Sequence, residues 1–181
     1  MNHPEINTTT LDRRHLLIAA GVMAAGIPLA WKPVQVYAHQ DADPLAGTVV
    51  TALSGGAPSL VPDRMLLLLR VTMEPGVVIP AHAHPGPVAL YVDSGRFGTE
   101  FFEGEGTVTR AATDATPEAV IAMAPGDNLT MEPGDHLFYD GAVHTMRNDG
   151  DDELVLLVSA LLDPNEPGFQ FMEMETSTPA S

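Results

Sequence analysis

Turns constrain this chain more than any other feature. From residue 47 onward each apolar run is soon stopped by glycine, proline or acidic side chains. The runs are Gly47–Leu53, Arg64–Met73, Val77–Ile79, Val88–Val92, Phe97–Phe102, Gly106–Ala111, Ala119–Met123, Asn128–Met131, His136–Tyr139, Val143–Arg147 and Glu153–Leu162. Punctuation at intervals of about 8–12 residues argues for an all-β sandwich or barrel. Sixteen glycines and sixteen prolines supply the turns. Leu66–Leu69 is continuous enough for a buried helix, but it lies in a segment of strand length between turn clusters. No long stretch repeats its apolar residues with the 3.6-residue period of a helix.

Apolar residues make up 45% of the chain and charged ones 18%, a globular composition. Acidic residues outnumber basic ones 24 to 8, for a formal charge of −16. That balance leaves no basic patch, and it makes nucleic acid and anionic membrane surfaces poor candidates as partners. Cysteine is absent. Disulfide frameworks, thiolate metal sites, iron–sulfur clusters and a cysteine nucleophile are therefore excluded together.

The N-terminal end has the layout of an export signal. Asp12-Arg13-Arg14-His15-Leu16-Leu17 leads into an apolar run from Leu16 to Trp31, followed by Val36-Tyr37-Ala38. A charged start, an apolar middle and a small residue at the cleavage point describe a secretory signal. Paired arginines directly before the apolar stretch resemble the twin-arginine type. A membrane anchor is the competing reading, but the run is broken by Pro28 and is short of the ~20 residues a span needs. The expectation is a cleaved signal over residues 1–38, the twin-arginine export machinery as a partner, and a periplasmic or extracellular destination. Such signals carry proteins already folded, often with a cofactor inserted. Beyond residue 38 the chain keeps 22 acidic residues, five arginines and no lysine, a charge of −17. The remainder divides into an N-terminal arm and first strand (39–59), a barrel (60–162) and a C-terminal tail (163–181), loose from Glu175.

Two Glu-Pro-Gly turns, Glu74-Pro75-Gly76 and Glu132-Pro133-Gly134, precede the histidines that stand out. His82 and His84 are two residues apart, so on a strand both side chains leave from one face. With a third imidazole from another strand they form a site for zinc, iron, manganese or copper. His144, after the turn at Gly141, is the third candidate. A surface or core role explains any one of these histidines taken singly.

The surroundings carry more. Gly76 is followed by five residues, then His82-Ala83-His84, and Gly95 closes the segment after Tyr91-Val92-Asp93-Ser94. Further on, Gly134-Asp135 is followed by Gly141-Ala142-Val143-His144 and by Asn148. In this order the two segments resemble the paired motifs of the cupin superfamily, and the likeness covers about residues 60–162. The resemblance implies a double-stranded β-helix, or jelly-roll barrel, with a divalent transition metal held by His82, His84 and His144. It also implies a small-molecule ligand inside the barrel and a possible homodimer. Two positions depart from the motifs: Val88 stands where they carry a glutamate, and Tyr139 where they carry a proline.

On a regular strand Val88 shares the parity of His82 and His84, so it points into the site in place of a carboxylate. The implied ligand set is three neutral histidines, as in thiol dioxygenases and a diketone-cleaving dioxygenase of the same superfamily. Without a carboxylate the ion keeps its full charge, acidifies bound water and attracts an anionic chelating ligand. Val88, Leu90, Val92 and Met146 are the expected pocket-lining residues. His136 reads as a surface residue, and Glu103 and Glu105 as a hairpin tip. Replacement of the missing carboxylate by Glu100, Glu103 or Glu105 is the less favoured alternative. Tyr91, Phe97, Phe101, Phe102 and Phe138 read as barrel core. Two activities stay open: a dioxygenase-like oxidoreductase acting on a small metal-chelating substrate, and a non-catalytic module that holds a ligand or metal. Isomerase or lyase chemistry would need a proton-transferring residue that the sequence does not identify.

Overall fold

A computed structural model describes residues 43–172 apart from 115 and 117. The expected export signal and the loose segment from Glu175 lie outside the described residues. Within them the chain forms twelve strands and no helix. These are β1 (Thr48–Gly56), β2 (Met65–Met73), β3 (Val78–Ala83), β4 (Pro87–Ser94), β5 (Phe97–Glu103) and β6 (Gly106–Arg110). The second half adds β7 (Ala119–Met123), β8 (Asn128–Met131), β9 (His136–Asp140), β10 (Val143–Asn148), β11 (Leu154–Leu162) and β12 (Gln170–Phe171).

Seven strands form one sheet in the order β1-β2-β11-β4-β9-β6-β7, and five form the other in the order β12-β3-β10-β5-β8. Every pairing is antiparallel. From β2 to β6 and from β7 to β11 the chain changes sheet at each turn, the path of a double-stranded β-helix.

Alternation builds the interior. In β11 Leu154, Leu156, Val158, Ala160 and Leu162 face inward while the intervening residues do not. Val88, Leu90 and Val92 do the same on β4. Met73, Ile79, Phe97, Phe101, Met131 and Leu137 complete a core with essentially no exposed surface, each large side chain contributing about 1.5–3 kcal/mol by burial. The same alternation corrects part of the expected core. Tyr91 is 42% and Phe138 52% exposed, because their neighbours Leu90, Val92, Leu137 and Tyr139 take the inward positions. Phe102 is only half-buried.

The expected strand pattern changes most in three places. β1 does not stop at Ser54 but continues to Gly56 through a register shift between Ala52 and Ser54. β3 runs past Ile79 to Ala83, and Pro80 is accommodated where the ladder with β10 slips between the pairs His144–His82 and Met146–Ile79. A proline inside a strand is tolerated at such a bulge, where no ladder donor is needed. Beyond Pro164 the chain adds β12, paired with β3.

Candidate metal centre

His82 and His144 are direct cross-strand partners on β3 and β10. Both side chains are fully buried, with ring centroids 4.6 Å apart. Consecutive residues Val143 and His144 both face inward, and the register shift between them on the β5 side shows why. A bulge re-aims side chains that regular alternation would send to opposite faces. His84 lies one residue past the end of β3, its ring 5.0 Å from His82 and 5.9 Å from His144. The tight connection after it passes through Gly86 (φ 150°), where a β-carbon would overlap the carbonyl oxygen of Leu161.

Each ring has one nitrogen already committed. Nδ1 of His82 donates to the Pro80 carbonyl at 2.7 Å, and Nδ1 of His84 to the Gly168 carbonyl at 2.6 Å. Nδ1 of His144 faces the Thr145 carbonyl at 3.2 Å, with the Thr99 hydroxyl 3.4 Å away. Carbonyls only accept, so these contacts select the Nδ1–H tautomer and leave Nε2 of each ring as a bare lone pair. Among the described residues only three buried side-chain polar atoms lack a partner: Nε2 of His82, Nε2 of His144 and the Thr48 hydroxyl. Two of the three therefore belong to this cluster.

A ligand atom from each of the three histidines lies within 4.8 Å of the others. Nitrogens at about 2.0–2.1 Å around one tetrahedral ion stand about 3.4 Å apart, so the widest pair of rings would close by up to about 1.4 Å on binding. Protons compete poorly for the same lone pairs. Burial, reinforced by the neighbouring His84, lowers His82 to about 3 against the opposing Pro80 hydrogen bond. Burial likewise lowers His84, and together with its two histidine neighbours it holds His144 well below its ordinary value. All three are neutral imidazoles at neutral pH, the form that binds a metal. The donor set fits a divalent transition ion.

Among the described residues no carboxylate joins them. Glu100 instead accepts from the Asn128 amide at 3.3 Å, and Glu103 and Glu105 are exposed, so none replaces the residue that Val88 displaces. His136 is exposed on the outer face of β9. Val88 is buried opposite Tyr139, Leu90 opposite Leu137 and Met146 opposite Ile79; Val92 is likewise buried.

Several neighbours of the cluster are not apparent from motif spacing. The Tyr139 ring lies 4.6 Å from His144 and 6.2 Å from His84, and burial raises its hydroxyl well above the ordinary tyrosine range, so it keeps its proton. Phe101 stands 5.8 Å from His144, and Phe169 lies 4.8 Å from His84 and 5.1 Å from His82. The alternation Leu137–Tyr139 marks Tyr139 as inward-facing, and Phe169-Gln170-Phe171 after Pro167-Gly168 is itself a short strand pattern.

Neither a family model nor a curated protein sequence matches the chain. Solved structures do resemble it. A cupin 2 domain-containing protein from Halorhodospira halophila is 13% identical over 75% of this chain and 77% of its own, with a TM-score of 0.48. A cupin domain from Bordetella pertussis is 16% identical over 64% of this chain and 93% of its own, with a TM-score of 0.35. A DMSP lyase from Ruegeria pomeroyi is 19% identical over 72% of this chain, at a TM-score of 0.39, and the match spans 54% of the lyase. The fold assignment stands on the strand order and register of this chain.

Proposed function

We propose that this chain is an exported cupin-type protein that binds one divalent transition metal through His82, His84 and His144. We further propose that it acts as a dioxygenase-like oxidoreductase on a small, metal-chelating substrate. One observation carries the metal assignment: three neutral imidazoles each bring a ligand nitrogen within 4.8 Å of the others, and the Nε2 lone pairs of the buried His82 and His144 meet no donor. A buried acceptor left bare costs about 1–3 kcal/mol, and a Lewis acid removes that cost for His82 and His144 at once. Iron, manganese, zinc and copper are each compatible with imidazole ligation. Export rests on Arg13-Arg14 and the apolar run behind them.

Bound there, a divalent ion with three neutral ligands supplies a strong Lewis acid that favours an anionic, chelating partner such as an enolate. The carbonyls of Pro80, Gly168 and Thr145 hold the three rings in orientation through Nδ1. Phe101, Phe169 and Tyr139 surround the histidines with low-dielectric surface that excludes water. Tyr139 keeps its proton, so it can donate a hydrogen bond to an anion but does not act as a base. Val88, paired across the strands with Tyr139, would supply an apolar wall together with the buried Leu90, Val92 and Met146. The net charge of −17 beyond residue 38 repels anions at long range, but screening over about 8 Å at physiological salt leaves the local ion in control.

A second reading, a non-catalytic module that holds a metal or small ligand, is favoured by the burial of His82 and His144, which leaves His84 as the more accessible ligand. Metal analysis of the natively exported protein, combined with oxygen uptake on phenolic and diketone compounds, separates the two. Iron or copper at one per chain with substrate-dependent oxygen uptake supports the oxidoreductase. Stoichiometric metal without turnover supports the holding module. Less than about a tenth of an ion per chain, unchanged by supplementation, contradicts both.

A further inference from the structure

The three histidines differ in where their Nδ1 partner comes from. His82 is anchored by Pro80 and His144 by Thr145, on their own strands and within two residues. Those anchors form whenever β3 and β10 form. His84 is anchored by Gly168, 84 residues further along the chain. Its local backbone offers little else, since His84 lies past the end of β3 and is followed by Pro85-Gly86.

Gly168 belongs to a strap laid along the outer edge of β3. Gln170 pairs with Ala83 and Phe171 with His82, and the Met172 N–H donates to the Ala81 carbonyl at 2.8 Å. Phe169 packs edge-on against His84, and its ring stacks with Phe171 at 6.0 Å. The strap thus touches both histidines of the His-Ala-His segment through a two-residue strand, two half-buried rings and the Gly168 carbonyl.

We propose that the strap Gly168–Phe171 is a positioning element for His84: the Gly168 carbonyl and the Phe169 ring fix the tautomer and orientation that leave Nε2 free to ligate. This rests on the metal assignment above. A free neutral imidazole populates both tautomers, and the Nε2–H form has no lone pair to offer at that nitrogen. With the strap undocked, the site is a two-histidine site with a disordered third ligand. Strap docking and metal binding are consequently one linked equilibrium, and linkage is reciprocal: the factor by which the strap tightens the metal is the factor by which the metal tightens the strap.

The test uses the full chain with Zn(II) as the probe. Phe169→Ala/Phe171→Ala is expected to bind Zn(II) about ten- to a hundredfold more weakly, the usual range for groups that orient a metal ligand. Phe169→Leu, which keeps apolar bulk, retains most of the affinity. In a His84→Ala background the strap substitutions are expected to have no further effect. Zn(II) should in turn slow hydrogen exchange of Gly168–Phe171 in the wild type. Without metal, 15N spectra should show His84 as the Nδ1–H tautomer in the wild type and as a mixture in the double variant, with thermal melts verifying that both are folded. Equal Zn(II) affinity, an equal loss in the His84→Ala background, or an unchanged His84 tautomer would each overturn the proposal. If the wild type binds no Zn(II), the metal assignment fails, while the tautomer measurement still decides whether the strap holds His84.

Discussion

Among the buried polar groups of the described residues, two clusters are built on opposite terms. At the turn into β9, Asp135 is 3% exposed and fully satisfied: Arg110 donates to it at 2.5 Å, and the N–H groups of Ala111 and Glu132 at 2.9 Å. Arg110 also reaches the Thr130 carbonyl, tying β6, β8 and the turn together. At the histidine cluster three donors are spent on carbonyls, and the opposite nitrogens of His82 and His144 face nothing. Buried polar groups are normally paired, so the first cluster completes the fold and the second marks a place where another species completes it. Burial alone does not separate structure from function here; hydrogen-bond closure does.

The contrast can be broken experimentally at either end. The largest effect is expected at the open cluster: His82→Ala or His144→Ala should weaken binding of a divalent transition metal by more than about a hundredfold, beyond the loss typical of supporting residues. Equilibrium dialysis checks it. At the closed cluster, Asp135→Ala should cost about 3 kcal/mol of folding free energy, since it strands a half-buried Arg110 and two backbone donors. Urea unfolding measures that cost, and metal affinity per folded chain should not change.

Acid sharpens the comparison further. The histidines have lowered values in the folded chain, so below about pH 6.5 the unfolded chain takes up protons that the folded one refuses. Stability of the metal-free protein should therefore fall as pH drops below about 6.5, with His82 contributing about 1.4 kcal/mol per pH unit until the pH nears 3 and His84 and His144 acting in the same direction. Asp135 acts lower on the scale. Burial alone would raise it, but the Glu132 and Ala111 amides and Arg110 hold it below its ordinary value. Its contribution, present above its ordinary value of 3.8, is lost only as pH falls through that depressed value. Denaturation at a series of pH values, with and without His82→Leu, separates the two windows.

The smallest effect has the most informative sign. His144→Leu in metal-free protein should be neutral or stabilising by up to about 1 kcal/mol, because it deletes a bare acceptor. The Thr145 carbonyl it abandons still accepts from the Thr99 hydroxyl at 2.8 Å. A loss of several kcal/mol in melting experiments would mean that the histidine cluster is structural after all.

Strand placement was legible because glycine and proline punctuate the chain so densely; Ala119–Met123 and Asn128–Met131 are found at the expected bounds. The pairing of His82 with His84 was legible from a period of two, and His144 came from motif spacing. The face of an aromatic residue was not legible from its type. Tyr91 and Phe138 are outside because their neighbours are inside, a question of strand phase and not of hydropathy. The Asp135 cluster and the strap escaped for a different reason. Their meaning lies in contacts between distant elements: Arg110 with Asp135, and Gly168 with His84. In the sequence Asp135 only opens the second motif segment beside Gly134, and Phe169-Gln170-Phe171 lies in a segment whose composition reads as tail. The tautomers depend on carbonyl positions, which no side-chain pattern reports.

X-ray absorption at the metal edge of protein purified with its native ion tests the central claim most directly. Three imidazole nitrogens around one ion, reduced in number by His144→Ala, is the predicted result. A shell of oxygen ligands alone, or one that His144→Ala leaves unchanged, would contradict it.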